Sequence, residues 1–311
     1  MNKATQIPTV WKMRVHATGG TKEPEQIYPF LRKHGLLGIG WGLERSPIDE
    51  EDAIKLAKKA YSKKQPHGVG NVKRFVKDMQ IGDLVWIRYK SLFVLYQIVS
   101  YWEYKHGEDW ETYDIRFTRK ANIIYETSEP PLGPIFSALL GRQQTIARFQ
   151  KHKELITAYS LWLCKKYSEG NCPPPSVINL HTTRLLDLFP PEELEDIIAM
   201  FLQTEQGLVL IPSSRTHANN TADYEYILVN KQGIPFYVQV KTTGTCVQAE
   251  HNQQNWVLFS RDNYPQMRKR CKNANVIDPN IIEKYIWDNE KLMPTKMRAL
   301  MHLFNELKSE P

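Results

Sequence analysis

One short segment and a carboxylate upstream of it carry residue types that can bind a divalent cation. The segment reads Gln239-Val240-Lys241, and Asp223 precedes it by about 15 residues, enough for two strands and a turn. Residues i and i+2 of a strand share a face, so Gln239 and Lys241 should project together while Val240 enters the core. If the strands pair, Asp223 lies beside them.

This set of residues suits hydrolysis of a phosphodiester bond. Mg²⁺ prefers oxygen ligands, which the Asp223 carboxylate, the Gln239 side chain and the Val240 backbone carbonyl can supply. Lys241 can orient the attacking water and stabilise negative charge. Glu225, two residues after Asp223, would share its face and is the alternative carboxylate.

The elements that must position these residues are a helix and three strands. Pro190 and Pro191 start a helix whose apolar positions follow helical spacing, and its Glu195 is a further candidate metal ligand. Acids in a first helical turn also favour the helix dipole, so Glu195 has a structural alternative. Strands are predicted at 208–213, 224–230 and 235–241. The end of the chain is predicted to be helical.

Together, Leu194-Glu195-x-x-Ile198, Asp223 and Val238-Gln239-Val240-Lys241 resemble the Mrr-like branch of the PD-(D/E)XK nucleases, whose last motif is Gln-x-Lys. The resemblance implies an α/β core of αβββαβ type in which Glu195, Asp223, Gln239 and Lys241 are functional. Two features depart from the pattern. Leu194 replaces an aromatic residue, and Asn219-Asn220-Thr221-Ala222 replaces a glycine-rich turn.

The first half of the chain is basic. The net charge is +7, and residues 1–150 hold 23 of the 41 Lys and Arg but 16 of the 34 Asp and Glu, so residues 151–311 are neutral. A basic domain is expected to contact phosphate backbones. The candidate contacts are Lys55, Lys58, Lys59, Arg74 and Arg88. The lysines on the helix predicted at 49–64 have a solvated helix face as their alternative.

Three short motifs in this half occur in a recognisable order. They are Leu37-Gly38-Ile39-Gly40-Trp41-Gly42, the run from Arg74-Phe75 to Val85-Trp86, and Tyr96-Gln97-Ile98. They resemble the α+β, strand-rich PUA-like/EVE-type domains found fused to restriction nucleases. The resemblance implies that aromatic residues, among them Trp41, Trp86 and Trp102, enclose a flipped modified base. Burial in the core is the alternative for each.

The sequence therefore predicts a PUA-like recognition domain at 1–147, a helical linker at 148–178 and a nuclease domain at 179–311. No apolar run is long enough for a membrane span, the first residues lack a signal peptide, and no cysteine pair has Cys-x-x-Cys spacing. We expect reduced cysteines, a cytoplasmic location and no membrane partner.

The resulting hypothesis is a restriction endonuclease that cuts double-stranded DNA as a homodimer with Mg²⁺, or Mn²⁺, and reads a site or a modified cytosine. No Gly-x-x-x-x-Gly-Lys-[Ser/Thr] motif occurs, so no ATP should be needed. Two alternatives stay open. One is a non-catalytic nucleic-acid-binding protein, for RNA or DNA, with a degenerate nuclease fold. The other is a repair nuclease.

Overall fold

The chain forms two compact units. The computed structural model describes residues 7–15, 21–63, 65–140, 145–168, 183–216, 224–242 and 254–309. The first unit extends to Thr183 and includes the last five residues, and the second spans Arg184–Glu306. Within the described ranges, every helix is too short or too polar to cross a membrane.

The first unit is a mixed α+β unit built on a six-stranded sheet. Its elements are β1 (Val10–Met13), α1 (Pro24–Lys33), β2 (Leu36–Ile39), α2 (Glu50–Tyr61), α3 (Pro66–Lys73), a π-helical turn (Arg74–Asp78), β3 (Leu84–Tyr89), β4 (Leu92–Tyr104), α4 (Glu108–Thr112), β5 (Phe117–Thr127), α5 (Gly133–Leu140), β6 (Ile146–Arg148) and α6 (Lys153–Tyr167). The strand order is β2-β5-β4-β3-β1-β6, with β1 and β3 parallel and the other neighbours antiparallel. The predicted hairpin of β3 and β4 is confirmed.

The buried carboxylate of Asp83 links β1 to the turn that precedes β3. Asp83, in the turn before β3, accepts hydrogen bonds from the backbone N–H groups of Thr9 and Gln80 and from Trp11 Nε1 at 2.7 Å. Burial raises the pKa of Asp83. These three donors explain why a carboxylate is tolerated beneath the core, because buried polar groups need partners.

The helix predicted as a linker belongs to the first unit. Trp86 of β3 is fully buried and donates from Nε1 to Ser160 Oγ of α6 at 2.9 Å. Its ring lies parallel to that of Tyr159, with centroids 6.1 Å apart. α6 is therefore a packed part of this unit.

Cys164 in α6 is disulfide-bonded, so the expectation of four reduced cysteines was wrong at this position.

A buried arginine holds the π-helical turn. Arg119 of β5 is 2% exposed and donates to the backbone carbonyls of Phe75, Val76 and Met79 at 2.8–3.2 Å, and to that of Ser100. Burial lowers the pKa of Arg119 to about 10. The guanidinium thus satisfies carbonyls that the wide turn leaves without an ordinary helical partner.

The second unit combines a five-stranded sheet with helices. After a 3₁₀ turn (Leu185–Asp187), its elements are α7 (Pro191–Gln206), β7 (Val209–Leu210), a 3₁₀ turn (Pro212–Thr216), β8 (Tyr226–Val229), β9 (Pro235–Lys241), β10 (Trp256–Ser260), α8 (Tyr264–Arg270), β11 (Asn275–Ile277), α9 (Pro279–Asp288), a 3₁₀ turn (Glu290–Leu292) and α10 (Thr295–Ser309). The strand order is β11-β10-β9-β8-β7.

The connectivity resembles the predicted αβββαβ core but adds a strand. β7, β8 and β9 are antiparallel neighbours that follow α7, as predicted. β10 then pairs in parallel with β9 before α8, and β11 pairs in parallel with β10. The strand predicted at 208–213 is shorter than expected, because Pro212 starts a 3₁₀ turn after two paired residues.

Helix α7 begins and ends as its sequence predicts. Pro191 opens it, acids occupy its first turn, and Gly207 ends it at φ +64°, a conformation that glycine adopts without strain. The predicted apolar positions are buried: Leu194, Ile197, Ile198, Phe201 and Leu202. This buried face fixes how Glu195 is presented.

Candidate active site

The register of β8 and β9 brings two predicted residues and their alternative carboxylate to one place. Tyr226 pairs with Val238, and the Glu225 N–H donates to the Val238 carbonyl at 2.8 Å. Glu225 therefore lies next to Val238 at the end of this ladder, and Gln239 and Lys241 share one face of β9. Gln239 is buried at 7% exposure, whereas Lys241 is partly exposed.

Lys241 contacts a carboxylate directly. Its Nζ lies 3.1 Å from Glu225 Oε1, and the two side chains are 32% and 28% exposed. Asp223, the carboxylate that the sequence analysis preferred, lies outside the described residues. Among the described residues, the carboxylate beside Lys241 is therefore that of Glu225, which was predicted as the alternative to Asp223.

Helix α7 contributes a second carboxyl group. The Tyr226 hydroxyl donates to the backbone carbonyl of Glu195 at 3.0 Å, which fixes this turn of α7 against β8. Burial, then the charge of Glu225, raises the pKa of Glu195 to about 7. Glu225 is thus close enough to oppose the ionisation of Glu195.

The residues present fit a hard divalent cation. A carboxyl group whose ionisation is opposed by a neighbouring carboxylate becomes easier to ionise when a cation binds beside it. The Val240 carbonyl points to the same side of β9 as that of Val238, toward β8. No group of three carboxylate, histidine or cysteine ligands occurs among the residues that the structure describes. A complete Mg²⁺ set there would use waters and the backbone, as Mg²⁺ commonly does.

An arginine missed by the sequence analysis lies at this site. Arg215 pairs with Asp196 of α7 at 2.6 Å, and its guanidinium lies 5.5 Å from the centroid of the Tyr226 ring. Its charge acts on Glu195, where it lowers the pKa. Arg215 follows β7 in a 3₁₀ turn, and no local pattern marks it as close to Glu195.

A buried ion network holds the end of β9. Arg261 follows β10, is 6% exposed, and donates from Nη2 to the Thr242 carbonyl at 2.8 Å. Its N–H donates to the Lys241 carbonyl at 3.1 Å. Its Nε lies 3.0 Å from Asp262 and 3.6 Å from Asp187. Arg261 therefore fixes the backbone at both Lys241 and Thr242.

The predicted base-binding tryptophans have different environments. Trp86 is fully buried, so the prediction that it lines a base-binding cage was wrong, because neither face of its ring is accessible. Trp102 is partly buried and packs on Phe117. Trp41 is also partly buried and adopts φ +67°, a left-handed conformation that costs energy in a bulky residue. Its ring packs tightly on Gly68, where a Cβ would clash at 2.5 Å.

The predicted phosphate-binding cations are mostly exposed. Lys55 and Lys58 lie on the exposed face of α2, and Lys59 pairs with Glu44 at 2.8 Å. Arg74 is partly buried and contacts Asn71, while Arg88 is exposed and donates to the Lys90 carbonyl. Lys55 and Lys58 form no ion pair with a described carboxylate.

Comparison with known proteins gives one match. Residues 11–119, about a third of the chain, match the family model of a domain of unknown function (DUF8426). This segment lies in the first unit and contains Trp41, α2 and the π-helical turn. No curated protein matches the chain. No solved structure matches it either.

Proposed function

We propose that the protein is a metal-dependent DNA endonuclease whose active site lies in the second unit. The observation that carries the proposal is the contact of Lys241 with Glu225 beside Glu195, at the point where β8 and β9 meet helix α7. The order of α7 and the antiparallel strands β7, β8 and β9 supports a PD-(D/E)XK-type core. In the first unit, the exposed cations and Trp41 support a PUA-like role in DNA recognition.

Each residue has a role in this proposal. Mg²⁺ or Mn²⁺, when bound, neutralises charge on the scissile phosphate and acidifies a water. Glu225, Glu195, the Gln239 side chain and the Val240 carbonyl would hold the cation, together with Asp223. Lys241 orients the attacking water and stabilises negative charge on the phosphate. Arg215 binds a phosphate oxygen next to the site.

Two substitutions test the reaction. Lys241→Ala and Asp223→Ala should bind double-stranded DNA with wild-type affinity but cut it at least roughly a hundredfold more slowly in Mg²⁺. Plasmids that are unmodified, or that contain 5-methylcytosine or 5-hydroxymethylcytosine, are the substrates, with EDTA as the blank. Lys231→Ala in the exposed β8–β9 turn is the matched control. Wild-type cleavage by both variants would overturn the site assignment.

Glu225→Gln and Asp223→Ala should each raise the Mg²⁺ concentration that cleavage requires, because both carboxylates are proposed to hold the cation. An unchanged Mg²⁺ requirement in one variant would exclude that carboxylate as a ligand. If neither the wild-type protein nor any variant cuts a substrate, yet DNA or RNA still binds, the non-catalytic alternative replaces this proposal.

Cleavage of both strands requires two active sites, so we propose a homodimer, which sedimentation with and without DNA would detect. Restriction of phage growth would separate a restriction enzyme from a repair nuclease.

A further inference from the structure

The second unit contains a cavity that the proposed nuclease site does not use. It has a volume of about 510 Å³ and lies between α7, α8, β11 and the start of α9. Small-molecule sites in proteins commonly span roughly 300–1,000 Å³. Glu195, Glu225 and Lys241 are absent from its lining.

Both apolar and cationic residues line the cavity. Phe201, Val276 and Ile281 provide apolar walls, and Ile281 remains 52% exposed. Arg268 and Lys272 also line the cavity. Arg268 donates to the hydroxyl of Tyr264, another lining residue, at 2.8 Å, and this bond orients its guanidinium.

The side chains of Arg268 and Lys272 are available to bind an anion. Neither Arg268 nor Lys272 forms an ion pair with a carboxylate among the described residues. One carboxylate, that of Asp278, also lines the cavity, but it accepts a hydrogen bond from the Asn280 N–H at the start of α9. Burial raises the pKa of the Cys271 thiol, which lines the cavity as a neutral group.

The edge of the sheet supplies directional hydrogen-bonding groups. β11 is the outermost strand of its sheet, and its residues Asn275, Val276 and Ile277 line the cavity. An edge strand presents a row of N–H and C=O groups that no neighbouring strand uses. Such groups can pair with the polar edge of a planar heterocycle.

We propose that this cavity binds a nucleotide, with the base between the apolar walls and β11 and the phosphate on Arg268 and Lys272. A ligand with a phosphate and a flat apolar base contacts both the cationic and the apolar residues of the lining. A simple anion would leave the apolar residues exposed. The nucleotide is either free in solution or one unit of a DNA strand. The proposal does not depend on the nuclease proposal.

The test is calorimetric titration of the full chain in EDTA with 2′-deoxyadenosine 5′-monophosphate. We expect one binding site per chain, and Arg268→Ala/Lys272→Ala should weaken it roughly tenfold or more. Lys269→Ala/Arg270→Ala is the matched control, because it removes the same charge from residues of α8 that do not line the cavity. It should weaken binding less than about threefold.

Further ligands separate the sources and the alternatives. A short single-stranded oligodeoxyadenylate that binds more tightly than the mononucleotide through Arg268 and Lys272 identifies a DNA strand as the source, and weaker binding identifies a free nucleotide. Equal binding of 2-deoxyribose 5-phosphate would overturn recognition of the base. Equal losses in the two double variants, or no binding of the mononucleotide and the oligonucleotide, would overturn the site.

Discussion

The Glu195 carboxyl group makes folding stability depend on pH. Its pKa is about 7 in the folded protein, above the ordinary value of 4.5. Between these values the folded state holds more protons than the unfolded state, so stability falls as pH rises from about 4.5 to 7. Below that window Glu195 is protonated in both the folded and the unfolded state, so its ionisation costs no folding stability. Above the window Glu195 is ionised in both states, and the full cost of ionising the buried carboxyl group is subtracted from the stability.

Glu195→Gln should therefore stabilise the metal-free protein at pH 8 but not at pH 4.5. The pKa difference corresponds to about 3 kcal/mol at most, and partial solvent screening reduces our expectation to about 1–2 kcal/mol. Denaturant unfolding in EDTA at both pH values measures it. Glu205→Gln, an exposed site on the same helix, is the control. An equal effect at both pH values would contradict the assigned pKa.

Mg²⁺ should act on the same group. A cation bound beside Glu195 favours its ionised form, so Mg²⁺ should raise the melting temperature of the wild type more at pH 8 than at pH 5. Glu195→Gln should lose most of this pH dependence. A Mg²⁺ effect that is the same at both pH values, or unchanged in the variant, would show that the cation binds elsewhere.

The sequence foresaw some of the residues that the structure brings together at the candidate site and missed others, for a physical reason. Lys241 and Gln239 follow from the two-residue period of a strand, and Glu225 was foreseen as the alternative to Asp223. Arg215 was missed because its approach to Glu195 depends on tertiary packing. Trp86 was misassigned because a sequence motif does not distinguish a ring that encloses a ligand from one that fills a core.

At the scale of elements, strong apolar periodicity in the sequence was sufficient to locate helices and strands. α2, α7 and the hairpin of β3 and β4 formed where apolar spacing predicted them. β10 was not predicted, because a short, largely buried parallel strand carries no alternation. The last strand of the predicted core was not located in the sequence, because β11 has only three residues. The π-helical turn also has no local signal, since its carbonyls depend on Arg119, 40 residues or more further along the chain.

The contact between the ends of β9 and β10 leads to a prediction about Arg261. Arg261→Met leaves Asp187 and Asp262 without their cation and frees Thr242, so it should destabilise the second unit by about 3 kcal/mol. Because it also loosens the backbone at Lys241, kcat for DNA cleavage should fall at least roughly tenfold with little change in KM.

A core variant separates positioning from stability. Met267→Ala creates a cavity beneath α8 and should cost about 2–4 kcal/mol without touching β9. Both variants are assayed at a temperature where thermal unfolding curves show them folded. Equal kcat values for the two would show that Arg261 has only a structural role.

At the scale of the whole molecule, the positive charge and the proposed catalytic residues lie in different units. The surplus of +7 is confined to residues 1–150. We therefore expect the first unit to contribute most of the salt-dependent affinity for DNA.

Lys55→Ala/Lys58→Ala should reduce the slope of log affinity against log salt concentration by about two, because each released phosphate contact contributes roughly one. Fluorescence anisotropy with a DNA duplex at several salt concentrations measures the slope. Lys59→Ala/Glu44→Ala, which removes an existing ion pair without changing net charge, should leave it unaltered. Unchanged slopes for both variants would place the DNA contact elsewhere.

The position of β1 also has a consequence for biosynthesis. β1 lies between β3 and β6, whose residues leave the ribosome much later than its own. Its backbone can complete both ladders only after Arg148 has been translated. The nascent chain should therefore keep the apolar residues Val10, Trp11 and Met13 exposed for most of the synthesis of this unit, when chaperones that bind apolar segments have access to them.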